Sequence, residues 1–169
     1  SWFDPAKAQA SAKALIANGS DVLFSNAQDT PSVVTVGEDE GVYVFNLNSS
    51  MSQYAPTKYL GVIKTDWEPF FSASIEAHLN GNFEGRNEWL GTDVGVVVTE
   101  EWSSDISPEM MERIKAVEAE ISAGSRHVYD GPIFNQDGEQ MVAAGERLDD
   151  MGILSINWHV KGVNTPLPK

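Results

Sequence analysis

Two tryptophans, Trp2 and Trp67, and five short polar side chains, Asn26, Asp29, Thr30, Asn48 and Asp66, are the candidates for a binding edge: Trp2 stands just before the first helical pattern, and the others follow short apolar runs. Flat apolar faces with fixed donors and acceptors suit a planar heterocycle or a sugar ring held without covalent chemistry. Each residue also has a plainer use. Asp4, Thr30 and Asp66 precede helical patterns and can cap them. Trp2 and Trp67 can pack at loop ends, and Asn46 and Asn48 can serve turn geometry. The recurrence of such residues after one apolar run after another singles the set out.

Signs of catalysis are weak. His78, His127 and His159 are scattered, and none has a neighbour spaced for a metal or a nucleophile. GxSxG, HExxH, P-loop and GxGxxG patterns are missing. Glu100-Glu101 reads as a solvated loop rather than an acid/base couple. With no cysteine, thiol catalysis, thiolate metal sites and disulfides are excluded. The expectation is therefore a protein that is not an enzyme, with no catalytic residue, no metal and no cofactor.

The elements that must position the polar set follow from periodicity. Asp4-Pro5 opens a helix with Ala8, Ala12, Leu15 and Ile16 at helical spacing, stopped by Asn18-Gly19. Asp21 to Phe24 reads as a buried strand. Thr30-Pro31 opens a second helix carrying Val33, Val34 and Val36, which stops near Gly41. Val42 to Phe45 forms the next strand, and a loop from Asn46 to Lys58 leads to a third at Leu60 to Ile63. Asp66 caps a helix expected to turn Phe70, Phe71, Ile75 and Leu79 inward. Val94 to Val98 is a further strand. Ser107-Pro108 starts an amphipathic helix with Met110, Ile114, Val117 and Ile121 on one face. The tail is strand-like at Val128-Tyr129, turns at Asn135-Gln136-Asp137-Gly138 and resumes at Met141-Val142 as a hairpin. Alternating helices and short apolar strands predict an α/β fold with a doubly wound, mostly parallel sheet. In such a sheet the carboxyl ends of the strands, next to helix N-termini, are where ligands bind. A βαβ unit starts with a strand, whereas this chain starts on a helix. The expectation is that a preceding segment of a longer protein supplies the first strand, the alternative being that another chain does.

The 169 residues carry 25 acidic and 11 basic side chains, a formal net charge of −14. A field of that sign repels phosphate backbones and argues against a nucleic-acid partner.

From Trp2-Phe3-Asp4-Pro5 onward the chain resembles the C-terminal part of the basic membrane protein family, the purine-nucleoside-receptor-like substrate-binding proteins of ABC importers. The resemblance runs through Gly19-Ser20-Asp21-Val22, Asp29-Thr30-Pro31, Gly41-Val42-Tyr43, Asn48-Ser49-Ser50-Met51 and Trp67-Glu68-Pro69-Phe70-Phe71. It continues through Gly131-Pro132-Ile133, Gln136-Asp137-Gly138, Ala144-Gly145 and Asn157-Trp158. It implies one lobe of a two-lobed type I periplasmic binding protein, with residues 1–98 as lobe core and 99–169 as hinge-crossing and C-terminal segments. The first lobe and the first strand of this lobe would lie outside the chain. It implies a purine base or nucleoside as ligand, stacked on Trp2 and Trp67. Asp29, Asn48 and Asp66 would make polar contacts, with Asn26 and Thr30 beside them. The implied partner is an ABC permease, and the implied location is periplasmic or extracytoplasmic, with any lipid anchor on a segment outside this chain. Two departures touch the site. Ser50 stands where the family pattern has an acidic residue, and Asn26-Ala27-Gln28 lacks a histidine of the tryptophan-containing branch. Two other readings stay open: a sensory domain of the same fold that signals to a partner protein, and a nucleoside- or sugar-processing enzyme.

Overall fold

A computed structural model describes residues 3–26, 30–85 and 87–167. Contacts divide the chain into two compact units, residues 1–116 and 117–169.

In the first unit, helix α1 (Pro5–Ala17) begins as its sequence requires. Asp4 accepts the Lys7 N–H at 3.1 Å, and proline occupies a position whose N–H would have no helical partner. Strand β1 (Val22–Ser25), helix α2 (Thr30–Glu40), strand β2 (Tyr43–Asn48) and strand β3 (Tyr59–Thr65) follow. The sheet order is β1-β2-β3-β4, where β4 is Val97–Glu100. Strands β1, β2 and β3 are mutually parallel, with Phe24 opposite Phe45 and Phe45 opposite Gly61.

The alternation along these strands decides the core. Leu23, Val44 and Val62 point to one face and, with Val34 and Val36 of α2, Ala12 of α1, Ala55 and Tyr59, form the buried cluster. Burying a branched side chain of this size contributes about 1.5–3 kcal/mol. Helix α2 sits close to the sheet because Gly37 has no side chain. A Cβ there would lie 2.0 Å from Val44 Cγ2. The opposite face carries Phe24, Phe45 and Trp102, whose rings stack in sequence with centroids 5.6 and 5.4 Å apart. Gly61 leaves room for this row, since a Cβ there would meet both Trp102 and Phe45.

Strand β4 departs from the expected strand at residues 94–98. It starts later, and it runs antiparallel to β3. The chain returns along helix α3 (Glu68–Leu79) and a loop, and re-enters the sheet beside the end of β3, where the Asp66 N–H bonds Val96 O at 2.7 Å. Entry from that end leaves only the antiparallel direction, a common arrangement for an edge strand. Val94 lies in a 3₁₀ turn and is exposed. A second correction concerns α3. Phe71, Ile75 and Leu79 are exposed rather than inward, while Pro69, Phe70, Ser74 and Ala77 line a cavity of about 620 Å³ against the loop from Asn82 to Val96. A helix with aromatic residues on adjacent positions can bury only one of its sides. The amphipathic helix, α4 (Pro108–Ser122), forms as expected, yet Met110 and Ile121 on its apolar face are exposed.

In the second unit the expected hairpin forms around Asn135–Gly138, between β5 (Ile133–Phe134) and β6 (Gln140–Val142). Asn135 is buried, and its Oδ1 accepts the N–H groups of Asp137 and Glu139 at 3.0 and 2.9 Å, which closes the turn. Val128-Tyr129 precedes the hairpin without being a strand. Arg147 bonds Asp130 through two guanidinium nitrogens, at 2.5 and 3.2 Å. The short helix α5 (Asp150–Leu154) is capped by Asp149.

Candidate ligand-binding site

The carboxyl ends of β1, β2 and β3 lie side by side, because Ser25 pairs with Asn46 and Asn48 with Lys64 in the parallel register. Asn48 ends β2 in a left-handed conformation, with φ 80°. Asparagine tolerates that conformation better than most residues. The Thr65 hydroxyl donates to Asn48 Oδ1 at 3.4 Å, joining the last residues of β2 and β3. Lys64 donates to Glu100 Oε1 at 3.1 Å, and its Nζ lies 3.8 Å from Asp66 Oδ2. The Glu100 carboxylate, hydrogen-bonded to the ammonium, holds the Lys64 pKa above its ordinary value. The charges of Asp66 and Glu101 act in the same direction and partial burial opposes them.

Asp66 works at the head of α3, where its Oδ1 accepts the Glu68 N–H at 3.0 Å. The expected capping role is therefore met by an Asx-type bond two residues ahead, with Trp67 in the cap position. Trp67 is 52% exposed. Its ring meets Phe70 edge-on and Phe71 at a tilt, so the indole is braced while much of its surface stays open. Asn26 is exposed just past the end of β1. Thr30 is buried, and its hydroxyl accepts from Ser25 Oγ at 3.0 Å, which places it behind the edge. Trp2 and Asp29 lie outside the described residues.

The structure thus brings Asn48, Asp66 and Trp67 to neighbouring strand ends, sets Asn26 on the same edge and turns Thr30 toward the interior. It adds residues outside that candidate set. Lys64 was legible as a lone cation at the end of an apolar strand. Glu100 and Glu101, read as a solvated pair, are partners of this edge: Glu100 of Lys64, and Glu101 of Ser50, whose hydroxyl donates to Glu101 Oε2 at 2.6 Å. The Ser50–Glu101 bond joins positions 51 apart in sequence, and local pattern carries no signal for it. Glu101 is itself left-handed, with φ 55°. Together these side chains offer an ammonium, an amide, a hydroxyl, carboxylates and an aromatic face. Among the described residues no group of three or more histidines and carboxylates could hold a metal ion.

A mostly parallel sheet with donors, acceptors and an open indole at its carboxyl edge defines the chain as an α/β fold with a candidate small-molecule edge. The chain belongs to the Bmp family of PnrA-like ABC transporter substrate-binding proteins, whose sequence pattern matches residues 1–130. A purine-binding protein of Brucella abortus is 32% identical over 169 residues, the whole of this chain and 48% of that protein. A protein of Haloferax volcanii named as an ABC transporter glucose-binding protein is 31% identical over 141 residues, 83% of this chain and 36% of that one. The chain therefore spans about half the length of the first relative and less of the second. Among solved structures, a transcriptional activator of the comK gene from Bacillus halodurans has TM-score 0.69 at 19% identity, covering 76% of this chain and 46% of that one. A solute-binding protein of an ABC transporter system from Conexibacter woesei has TM-score 0.60 at 17% identity, covering 75% and 43%. These two likenesses carry the fold, and agree with the expected α/β class and mostly parallel sheet. The family is one of binding proteins rather than enzymes, in keeping with the sequence reading.

Proposed function

We propose that the chain forms one side of the ligand cleft in the extracytoplasmic substrate-binding component of an ABC importer, and that its solute is a purine nucleobase or nucleoside. The observation that carries this reading is the exposed Trp67 directly after Asp66, with Asn48 and Lys64 on the adjoining strand ends. A purine stacks on an indole and presents N–H groups and ring nitrogens at its edge, which carboxylate and amide groups can read. The Brucella relative, named for purine binding, supports the same ligand class. The other side of the cleft would come from a first lobe outside residues 1–169, and closure of the two lobes on the solute would present it to a membrane permease. No helix among the described residues is long and apolar enough to cross a membrane.

A sugar is the second reading, favoured by the Haloferax relative and by the same pairing of an aromatic face with polar groups. Titration calorimetry and thermal shift on the full-length protein, with adenine, guanine, adenosine, guanosine and glucose, separate the two. Purine binding that is lost in Trp67→Ala with the melting temperature of the free protein unchanged supports the proposal. Binding of glucose alone replaces the ligand and keeps the transport role. No binding of any of the five removes the purine reading and shifts weight to a sensory role.

A further inference from the structure

Asn46 has no exposed surface, although it lies on the sheet face that otherwise carries Leu23, Val44 and Val62. Both amide hydrogens and the carbonyl oxygen are engaged locally. Its Nδ2 donates to Leu47 O at 2.9 Å and to Ser49 O at 2.8 Å. Its Oδ1 accepts from the hydroxyl of Tyr59. That hydroxyl in turn accepts the Met51 N–H at 3.0 Å. Two side chains from adjacent strands therefore hold three backbone groups, one at residue 47 near the end of β2 and two in the loop after it, at residues 49 and 51. The carbonyls on either side of Asn48 are thus held by one amide, and the residue between them turns with a φ of 80°.

We propose that the Asn46–Tyr59 pair is a positioning clamp for the ligand site, fixing the exit from β2 into the 49–51 loop so that Asn48 and Ser50 stand at the strand edge. The proposal rests on the reading of that edge as the ligand site. The side-chain bond between the two is not what joins β2 to β3, which pair through their backbones. Exchanging both partners of a buried hydrogen bond for apolar groups of the same shape is close to neutral for stability. A fully satisfied buried polar network instead specifies one conformation of what it touches, here a loop with no helix or strand of its own from residue 49 to residue 51. Tyr59 and Asn46 thus act through Asn48 and Ser50 and touch no ligand themselves.

The test is backbone hydrogen exchange on the full-length protein, with guanosine titration beside it, for Tyr59→Phe and for the double variant Asn46→Leu/Tyr59→Phe. The expected result is exchange of the amides at 49–52 faster by roughly tenfold or more, equivalent to about 1.4 kcal/mol of opening free energy. Amides of β1 and β2 keep their rates, and guanosine affinity falls by a similar factor. A purely structural role would speed exchange across the whole sheet and leave the affinity of the folded molecules intact, and that result overturns the proposal. Unchanged protection of the loop in both variants also overturns it. The single tyrosine variant keeps the question answerable if the double variant does not fold. The exchange measurement needs no ligand, so a wild-type protein that ignores guanosine counts against the purine reading while the loop amides still decide for or against the clamp.

Discussion

Asn48 is where chemistry and backbone geometry meet in this molecule. A side chain at φ 80° carries a steric cost that glycine escapes, and that asparagine bears better than branched residues. Asn48→Gly is therefore expected to keep the fold, with a melting temperature at or above that of the wild type. It removes the amide that Thr65 reaches, so a fall in solute affinity in this variant belongs to the side chain alone. Asn48→Val inverts the experiment: a β-branched residue held in the left-handed region costs roughly 1–2 kcal/mol, and melting should show it. Equal melting of the two variants would mean that the left-handed turn is not kept in solution. This residue was visible in the sequence as a polar position after an apolar run, and so were Asp66 and Trp67. What could not be read there was the reason for its conformation. The clamp joins Asn46 to Tyr59 across 13 positions, and the carboxylate beside Ser50 comes from Glu101, so both depend on strand register rather than on local pattern.

The strands and helices of the first unit were largely legible because local signals agreed with the tertiary outcome. Asp4-Pro5 and Thr30-Pro31 mark where α1 and α2 begin, and the apolar runs became β1, β2 and β3 with ends moved by a few residues. The errors lie where tertiary context decides, in where β4 starts and in which side of α3 is covered. Two predictions belong to this scale. Gly37 lets α2 approach β2, and Gly37→Ala would push a methyl into Val44 and toward Val42 O, so a loss of about 1–3 kcal/mol on denaturant unfolding is expected. A cost near zero would mean that α2 shifts freely on the sheet. Glu38 of α2 closes the connection from β2 to β3. Its carboxylate accepts the Thr57 hydroxyl at 2.7 Å and the N–H groups of Thr57 and Lys58 at 3.1 and 3.0 Å. The hydrogen bond from the Thr57 side chain is the largest influence and holds its pKa below the ordinary glutamate value; burial opposes it, and the backbone bonds from Thr57 and Lys58 and the Lys58 charge add to the lowering. A carboxylate depressed in the folded state contributes stability that is present above its unfolded pKa and lost as pH falls through the folded one. Glu38→Gln should therefore narrow the stability difference between neutral pH and pH values below 4.5. Unfolding curves of both proteins across that range measure it, and an unchanged pH profile would sink the assignment.

On the scale of the whole molecule, two features of the chain oppose each other. A net charge of −14 makes molecules repel at distances up to the screening length. Against this, β1 is the outermost strand of its sheet, and it exposes Val22 and Phe24 to 47% and 54%, with Phe24 at the end of the Phe24–Phe45–Trp102 row. An exposed apolar edge strand is a template for pairing with another copy. Charge suppresses that pairing only while it is felt. The screening length falls from about 30 Å at 0.01 M salt to about 3 Å at 1 M, whereas apolar attraction is not weakened by salt. The 169-residue chain is therefore expected to sediment as a monomer at low ionic strength and to associate as salt rises. Val22→Lys places a charge on both the edge and the exposed face, and should return the high-salt sample to monomer without altering the core residues Leu23 and Val44. Association that is independent of salt, or that survives Val22→Lys, would mean that some other surface joins the molecules and that the acidic excess is not what keeps them apart.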